Sequence, residues 1–236
     1  MADGMLISML HWGQSAGYTE VIITPGKGRD NMALDLRRPA LHMTWEDDDL
    51  VLSLAPLQGH WTAEQYLLLT DQTNRLIEFT DGYVEVLPMP TEQHQIIVRV
   101  LFMALFAFTQ QYGGLVLFAP LRLQIRPEKF REPDLLLVCD TNDPRRQNRY
   151  WRGADVVMEV VSQDHPERDT REKRADYAEA GIPEYWIVNP QDETVTVLQL
   201  NGTTYQEHGV FRQGDTATSP TLPGFTIAVA AVFAAA

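Results

Sequence analysis

Glu159 lies inside the run Val156-Val157-Met158-Glu159-Val160-Val161, where burying an unpaired charge would cost several kcal/mol. It requires a partner. A neighbouring Lys or Arg would make it a structural ion pair, whereas a metal ion or a reacting group would make it part of a site. Asp134 strengthens the second possibility, because it follows Pro133 directly and heads another apolar run, Leu135-Leu136-Leu137-Val138. Carboxylates on neighbouring buried strands can jointly hold a hard divalent ion such as Mg²⁺, which takes oxygen ligands and keeps several waters. Downstream, Asp169, Lys173 and Tyr177 recur every four residues and share one face of a helix. They form either a solvated Asp–Lys pair with a tyrosine packed beside it, or a lysine aimed back at the carboxylates. In the second case the lysine would stabilise charge on a phosphorane-like transition state or orient an attacking water. His94 and Glu78 carry weaker signals: a polar residue in the first turn of a helix, and a cross-strand residue beside Phe79, each of which can simply face solvent.

The elements that must hold these groups follow from periodicity and punctuation. Thr62 with Gln65 three residues on forms a capping-box pattern for a short helix. Asp81-Gly82, between Leu76-Ile77-Glu78-Phe79 and Tyr83-Val84-Glu85-Val86, predicts a β-hairpin with Glu78 on one arm and Glu85 on the other. Thr91 caps an amphipathic segment running to about Tyr112, which Gly113-Gly114 ends, and its apolar density makes it a core helix. Strand-like runs follow at 115–118, 121–125, 133–138 and 155–161, the last two apolar enough to be buried on both faces. A charged helix over 167–180 closes at Gly181-Ile182-Pro183, after which strands resume at 185–188 and 194–200. This alternation predicts an α/β domain with a mixed sheet. Residues 1–42, turn-rich and without a sustained period, read as a weakly structured extension; residues 43–236 read as the domain, and Met43 offers an alternative translation start. The acidic run 46–49 reads as a solvated loop, and 228–236 as an Ala-rich tail.

The 236 residues carry 19 Lys+Arg against 32 Asp+Glu, a net charge of −13, which argues against coating nucleic acid or an anionic membrane. An apolar content of 44% with 22% charged residues excludes disorder and collagen and fits one globular domain. The stretch 96–108 is interrupted by Arg99 and falls short of the roughly 20 apolar residues a membrane span needs, so no membrane association is expected. The N-terminus shows no secretory pattern and Cys139 is alone, pointing to the reducing cytoplasm. No glycine-rich phosphate loop, dinucleotide fingerprint, Cys/His zinc pattern or nucleophile elbow around Ser162 occurs.

The ordered succession Thr44-Trp45-Glu46, Leu76-Ile77-Glu78, Asp81-Gly82, His94, Glu132-Pro133-Asp134-Leu135, Val157-Met158-Glu159-Val160-Val161-Ser162, Asp169, Glu172-Lys173-Arg174, Tyr177 and Gly181-Ile182-Pro183-Glu184-Tyr185-Trp186-Ile187-Val188 resembles the Uma-type family of restriction endonucleases, over about Met43 to Phe233. That family is assigned to the PD-(D/E)xK nuclease superfamily, so the resemblance implies a restriction-endonuclease-like core: a central mixed sheet flanked by helices. It also implies hydrolysis of nucleic-acid phosphodiesters, DNA foremost, with Mg²⁺ or alternatively Mn²⁺. Asp134 and Glu159 would then bind the ion and Lys173 would assist, with Glu78, His94, Asp169 and Tyr177 at the edge of the site. One departure matters: Val161 stands where the superfamily motif has lysine, and the resemblance implies that this lysine has moved to the next helix as Lys173. The departure also keeps open a nuclease fold that binds or regulates without cutting. Cutting both strands of a duplex would call for a homodimer. Residues 122–174 hold 12 basic and 11 acidic residues against 7 and 21 elsewhere, so the segment bearing the candidate site is the part of the chain most able to accept a phosphate backbone.

Overall fold

The structure is a computed structural model describing residues 40–45, 48–53, 57–162 and 166–234. The expected extension therefore lies outside the described residues up to position 39. The first strand, β1 (Ala40–Trp45), spans the expected boundary at 42/43, and Asp48 and Asp49 open β2 (Asp48–Ser53), its antiparallel partner, where a loop was expected. Thr62 caps α1 (Ala63–Thr70) with both capping-box bonds present. The hairpin follows as β3 (Ile77–Thr80) and β4 (Tyr83–Val86). Its Asp81-Gly82 turn places both residues at positive φ, and a Cβ on Gly82 would approach the Gly59 carbonyl to 2.8 Å. Thr91 accepts from the His94 N–H to start α2 (Glu92–Tyr112), which stops at Gly113 in positive φ.

The remaining elements are β5 (Leu115–Phe118), β6 (Leu123–Arg126), β7 (Lys129–Arg131), β8 (Leu135–Val138) and β9 (Val156–Val160). A π-helical turn, Arg168–Glu172, leads into α3 (Lys173–Glu179) where sequence periodicity predicts one regular helix; the Lys173 N–H reaches back five residues to the Arg168 carbonyl. Then come β10 (Glu184–Asn189), β11 (Thr194–Asn201), β12 (Thr204–Phe211), β13 (Thr216–Thr218), β14 (Thr226–Ala228) and α4 (Val229–Phe233), the last a short helix inside the Ala-rich tail.

The central sheet has the order β12-β11-β10-β9-β8-β5 and is mixed: β9 and β10 run parallel and the other pairs antiparallel. Successive side chains alternate between its faces. Leu135, Leu137, Val156, Met158 and Val160 pack with Ile97, Leu101 and Leu105 of α2 and with Val232 of α4. Leu136, Val138, Val157 and Val161 pack on the opposite face with Tyr177 of α3. At about 1.5–3 kcal/mol for each fully buried aliphatic side chain, these two layers dominate folding. A second sheet, β4-β3-β7-β6, packs Ile77, Phe79 and Phe130 against Tyr66 and Leu67 of α1. By length and composition α2 could cross a membrane, but Ile97, Leu101, Leu105 and Thr109 bury one of its faces in this domain.

Candidate active site

The strand register explains why two residues 25 apart in sequence meet. In β8 and β9, Leu135 pairs with Met158 and Leu136 with Val157; continued by one residue, the same antiparallel register sets Asp134 opposite Glu159. Both then fall on the face shared with Leu136, Val157 and α3, by simple alternation. The Asp134 N–H donates to Glu159 Oε2 at 3.4 Å, and the Val160 N–H donates to Asp134 Oδ2 at 2.8 Å.

From the other side α3 brings in its basic residue. Lys173 Nζ lies 2.9 Å from Glu159 Oε1, 3.2 Å from Asp169 Oδ1 and 3.5 Å from Glu78 Oε1. The Tyr177 hydroxyl also donates to Glu159 Oε1. The three residues spaced by four thus reach the site, although the first belongs to the π-helical turn. Asp169 is fixed further by the Ser162 N–H, 3.4 Å from its Oδ2, and its carbonyl accepts from the Tyr185 hydroxyl at 2.7 Å. His94 Nε2 meets Asp134 Oδ2 at 3.1 Å, and its Nδ1 is buried without a partner among the described residues. Glu78 is only 1% exposed, so it belongs to the interior and not to the solvent face.

The electrostatics are lopsided. Glu78, Asp134, Glu159 and Asp169 surround one lysine, with Arg131 3.4 Å from Glu78 as the next nearest cation. Burial pushes the Glu159 carboxyl up and Lys173 only partly offsets this; Asp169 is raised for the same reason. Burial would pull the Lys173 ammonium down, but Glu159, Glu78 and Asp169 outweigh it and hold it well above an ordinary lysine, so it stays charged. In His94, burial lowers the imidazole while the hydrogen bond and charge of Asp134 raise it, with a net upward result.

All seven residues singled out from the sequence therefore meet in one place. Five of them, His94, Asp134, Glu159, Asp169 and Lys173, border a cavity of about 320 Å³ together with Ser162, walled by the 87–90 segment and by Ala119 and Pro120, while Glu78 and Tyr177 reach it through Lys173 and Glu159. Sequence reading did not single out Glu132, which lines the same cavity and whose Oε2 accepts from the Ile77 N–H at 3.0 Å; burial pushes its carboxyl up to about 8. It also overlooked Arg131 and Asp176, which meet behind Glu78. Their only sequence signal is a charge beside apolar strand or helix residues.

As a metal site, this arrangement offers two carboxylates, Asp134 and Glu159, joined through the Asp134 N–H. Asp134 Oδ1 and Glu159 Oε2 are the oxygens not engaged by a histidine, lysine or tyrosine contact. The local surplus of negative charge suits a hard, oxygen-liganded divalent ion that keeps most of its waters. Among the described residues no three His, Cys, Asp or Glu side chains form a metal-binding group, which does not suit a closed zinc-type site.

The bases of the 122–174 stretch are largely committed within the fold: Arg122 and Arg149 to Asp71, Arg126 to Asp81 and Glu179, Arg145 to Asp143 and Asp155, and Arg168 to Glu85. Phosphate contact by this stretch would have to use the bases left over or displace these pairs.

A mixed sheet flanked by helices, with one carboxylate on a central strand and another at the head of its neighbour facing a helix-borne lysine, defines a restriction-endonuclease-like nuclease fold. The sequence profile of the Uma2 family, described as "Putative restriction endonuclease", matches residues 63–230, and the chain belongs to that family. Among solved structures it is similar to one described as "a putative nuclease belonging to DUF820" from Anabaena variabilis, with a TM-score of 0.62 and 19% identity, covering 74% of this chain and 98% of that one. No curated protein matches it.

Proposed function

We propose that this protein is a metal-dependent endonuclease hydrolysing phosphodiester bonds of nucleic acid, DNA foremost, with Mg²⁺ or Mn²⁺ held by Asp134 and Glu159. The observation that carries this reading is the convergence of Asp134, Glu159, Asp169 and Lys173 on one open cavity. When bound, such an ion lowers the pKa of a water and polarises the scissile phosphate. The chain's own groups do the rest. Lys173, kept charged by its acidic neighbours, supplies a fixed positive charge where the transition state gains negative charge. Tyr177 and Lys173 hold Glu159 Oε1, while the Val160 N–H and His94 hold Asp134 Oδ2, so both carboxylates are oriented before substrate arrives. A double-strand cut would require two such sites, hence a second copy of the chain.

A non-cutting binding module is the second reading. It is favoured by Val161 in place of the superfamily lysine, and by the double engagement of Glu159 Oε1. Incubating the purified protein with single- and double-stranded DNA and RNA plus Mg²⁺ or Mn²⁺, beside Glu159→Gln and Lys173→Ala, separates the two. Cleavage by the wild type alone is the expected result. Equal cleavage by all three would come from contamination and would sink the site, and binding without cleavage in either metal would establish the module.

A further inference from the structure

Behind Lys173 the buried charges do not stop. Glu78 uses Oε1 toward Lys173 Nζ at 3.5 Å and its other oxygen, Oε2, toward Arg131 Nη1 at 3.4 Å. Arg131 in turn grips Asp176 Oδ2 through Nε at 2.8 Å and Nη2 at 2.6 Å, and donates from Nη1 to Thr80 Oγ1 at 3.0 Å. Lys129 Nζ holds the other Asp176 oxygen at 2.5 Å. Glu78, Arg131, Asp176 and Lys173 are all under 9% exposed. The chain of alternating charge thus runs from a second cavity of about 410 Å³, bordered by Glu78, Lys129, Arg131 and Asp176, to the one that holds Glu159.

Three carboxylates compete for one ammonium. Lys173 is closest to Glu159, next to Asp169 and farthest from Glu78, although Glu78 is as deeply buried as the other two. A carboxylate so buried should claim the nearest cation strongly unless another cation already answers it. Arg131 is that other cation. Asp176 fixes the guanidinium from behind in a fork that a lysine could not reproduce.

We infer that Arg131, locked by Asp176, is a positioning residue: it neutralises Glu78 and so leaves Lys173 directed at Glu159 and Asp169. This rests on the nuclease reading above. With Arg131 removed, Glu78 becomes the strongest unanswered acid and draws Lys173 away from the reacting phosphate, with the substrate-binding surface unaltered.

The test is a double-mutant cycle on the full chain, reading kcat and KM with the oligonucleotide that the wild type cleaves, and checking folding by thermal melt. Arg131→Gln is expected to lower kcat about 10- to 100-fold with KM little changed, below the roughly 100- to 1,000-fold of losing a preorganised donor outright, because Lys173 is redirected and not removed. Adding Glu78→Gln to Arg131→Gln removes the competing acid and is expected to recover at least about tenfold in kcat, which mere loss of structure would not allow. Arg131→Gln cleaving like the wild type, or a folded double variant no faster than the single one, overturns the proposal while leaving the nuclease reading intact. A wild type that cleaves nothing overturns both. If Arg131→Gln does not fold, Asp176→Asn alone and with Glu78→Gln gives the same decision.

Discussion

Two buried glutamates stand on adjacent, parallel strands of one sheet and live in opposite surroundings. Glu184 of β10 is fully buried, and its partners are neutral donors: the Trp186 indole N–H, the Ser219 hydroxyl at 2.9 Å and the Thr221 N–H at 2.7 Å. Glu159 of β9 is 2% exposed, yet it meets an ammonium, a phenol and the backbone of another acid, and it borders an open cavity. Glu184 is thus a closed structural group that ties the segment after β13 onto the start of β10. Glu159 belongs to a cluster with more negative charge than its cations answer. Burial alone does not mark a site; uncompensated charge facing accessible space does.

The comparison breaks most visibly in kinetics. Glu159→Gln is expected to reduce cleavage at least about 100-fold while shifting thermal unfolding little, because it removes a charge the fold strains to bury. Glu184→Ala should do the reverse: stripping three buried donors of their acceptor costs about 3 kcal/mol or more, at 1–3 kcal/mol for each orphaned group, and lowers Tm by roughly 6–12 °C for a chain of this size. Cleavage per folded molecule should then match the wild type. If Glu184→Ala abolished cleavage at temperatures where it is folded, the two glutamates would not differ in kind.

Metal titration sharpens the same contrast. Mg²⁺ or Mn²⁺ at a hundredfold excess over its Kd would stabilise the wild type by about 2.7 kcal/mol, and chelation should abolish the gain. The Asp134→Asn and Glu159→Gln variants should lose this shift and Glu184→Ala should keep it. Equal stabilisation of all four proteins would place the ion elsewhere.

How far these sites were legible in the sequence differs for the same reason. Glu159 announces itself, since a lone carboxylate in Val156–Val160 has no local partner, and the four-residue spacing of Asp169, Lys173 and Tyr177 points a lysine at it. The strands, the hairpin and α2 were legible because alternation, Asp81-Gly82 and the Thr91 cap are local signals. Glu184 looks like an ordinary residue at the start of a strand, and its partners Ser219 and Thr221 arrive from 35 and 37 residues away. Arg131 and Asp176 are equally silent, because only the pairing of β3 with β7 and the docking of α3 bring them to Glu78. The π-helical turn has no periodic signature of its own. The strands after residue 203 are exposed along much of their length, so their apolar alternation is faint.

The finest discrimination comes from removing one hydroxyl donor to each glutamate. Tyr177→Phe deletes the bond to Glu159 Oε1 and keeps the ring against Tyr185, whose centroid is 5.0 Å away. Ser219→Ala deletes the bond to Glu184 Oε2 and leaves the Leu222 N–H without its acceptor. Tyr177→Phe should cost about 1 kcal/mol of stability and Ser219→Ala, which breaks two bonds, about 2 kcal/mol, so melting curves alone will not assign either residue a role. Kinetics should: with Tyr177 gone, only Lys173 holds Glu159 Oε1, and cleavage should slow about 3- to 10-fold, equivalent to roughly 0.7–1.4 kcal/mol in the barrier. Ser219→Ala should leave the rate unchanged, since neither Ser219 nor Glu184 lines the cavity of Asp134 and Glu159. A Tyr177→Phe rate equal to wild type would mean that the orientation of Glu159 is set by Lys173 alone.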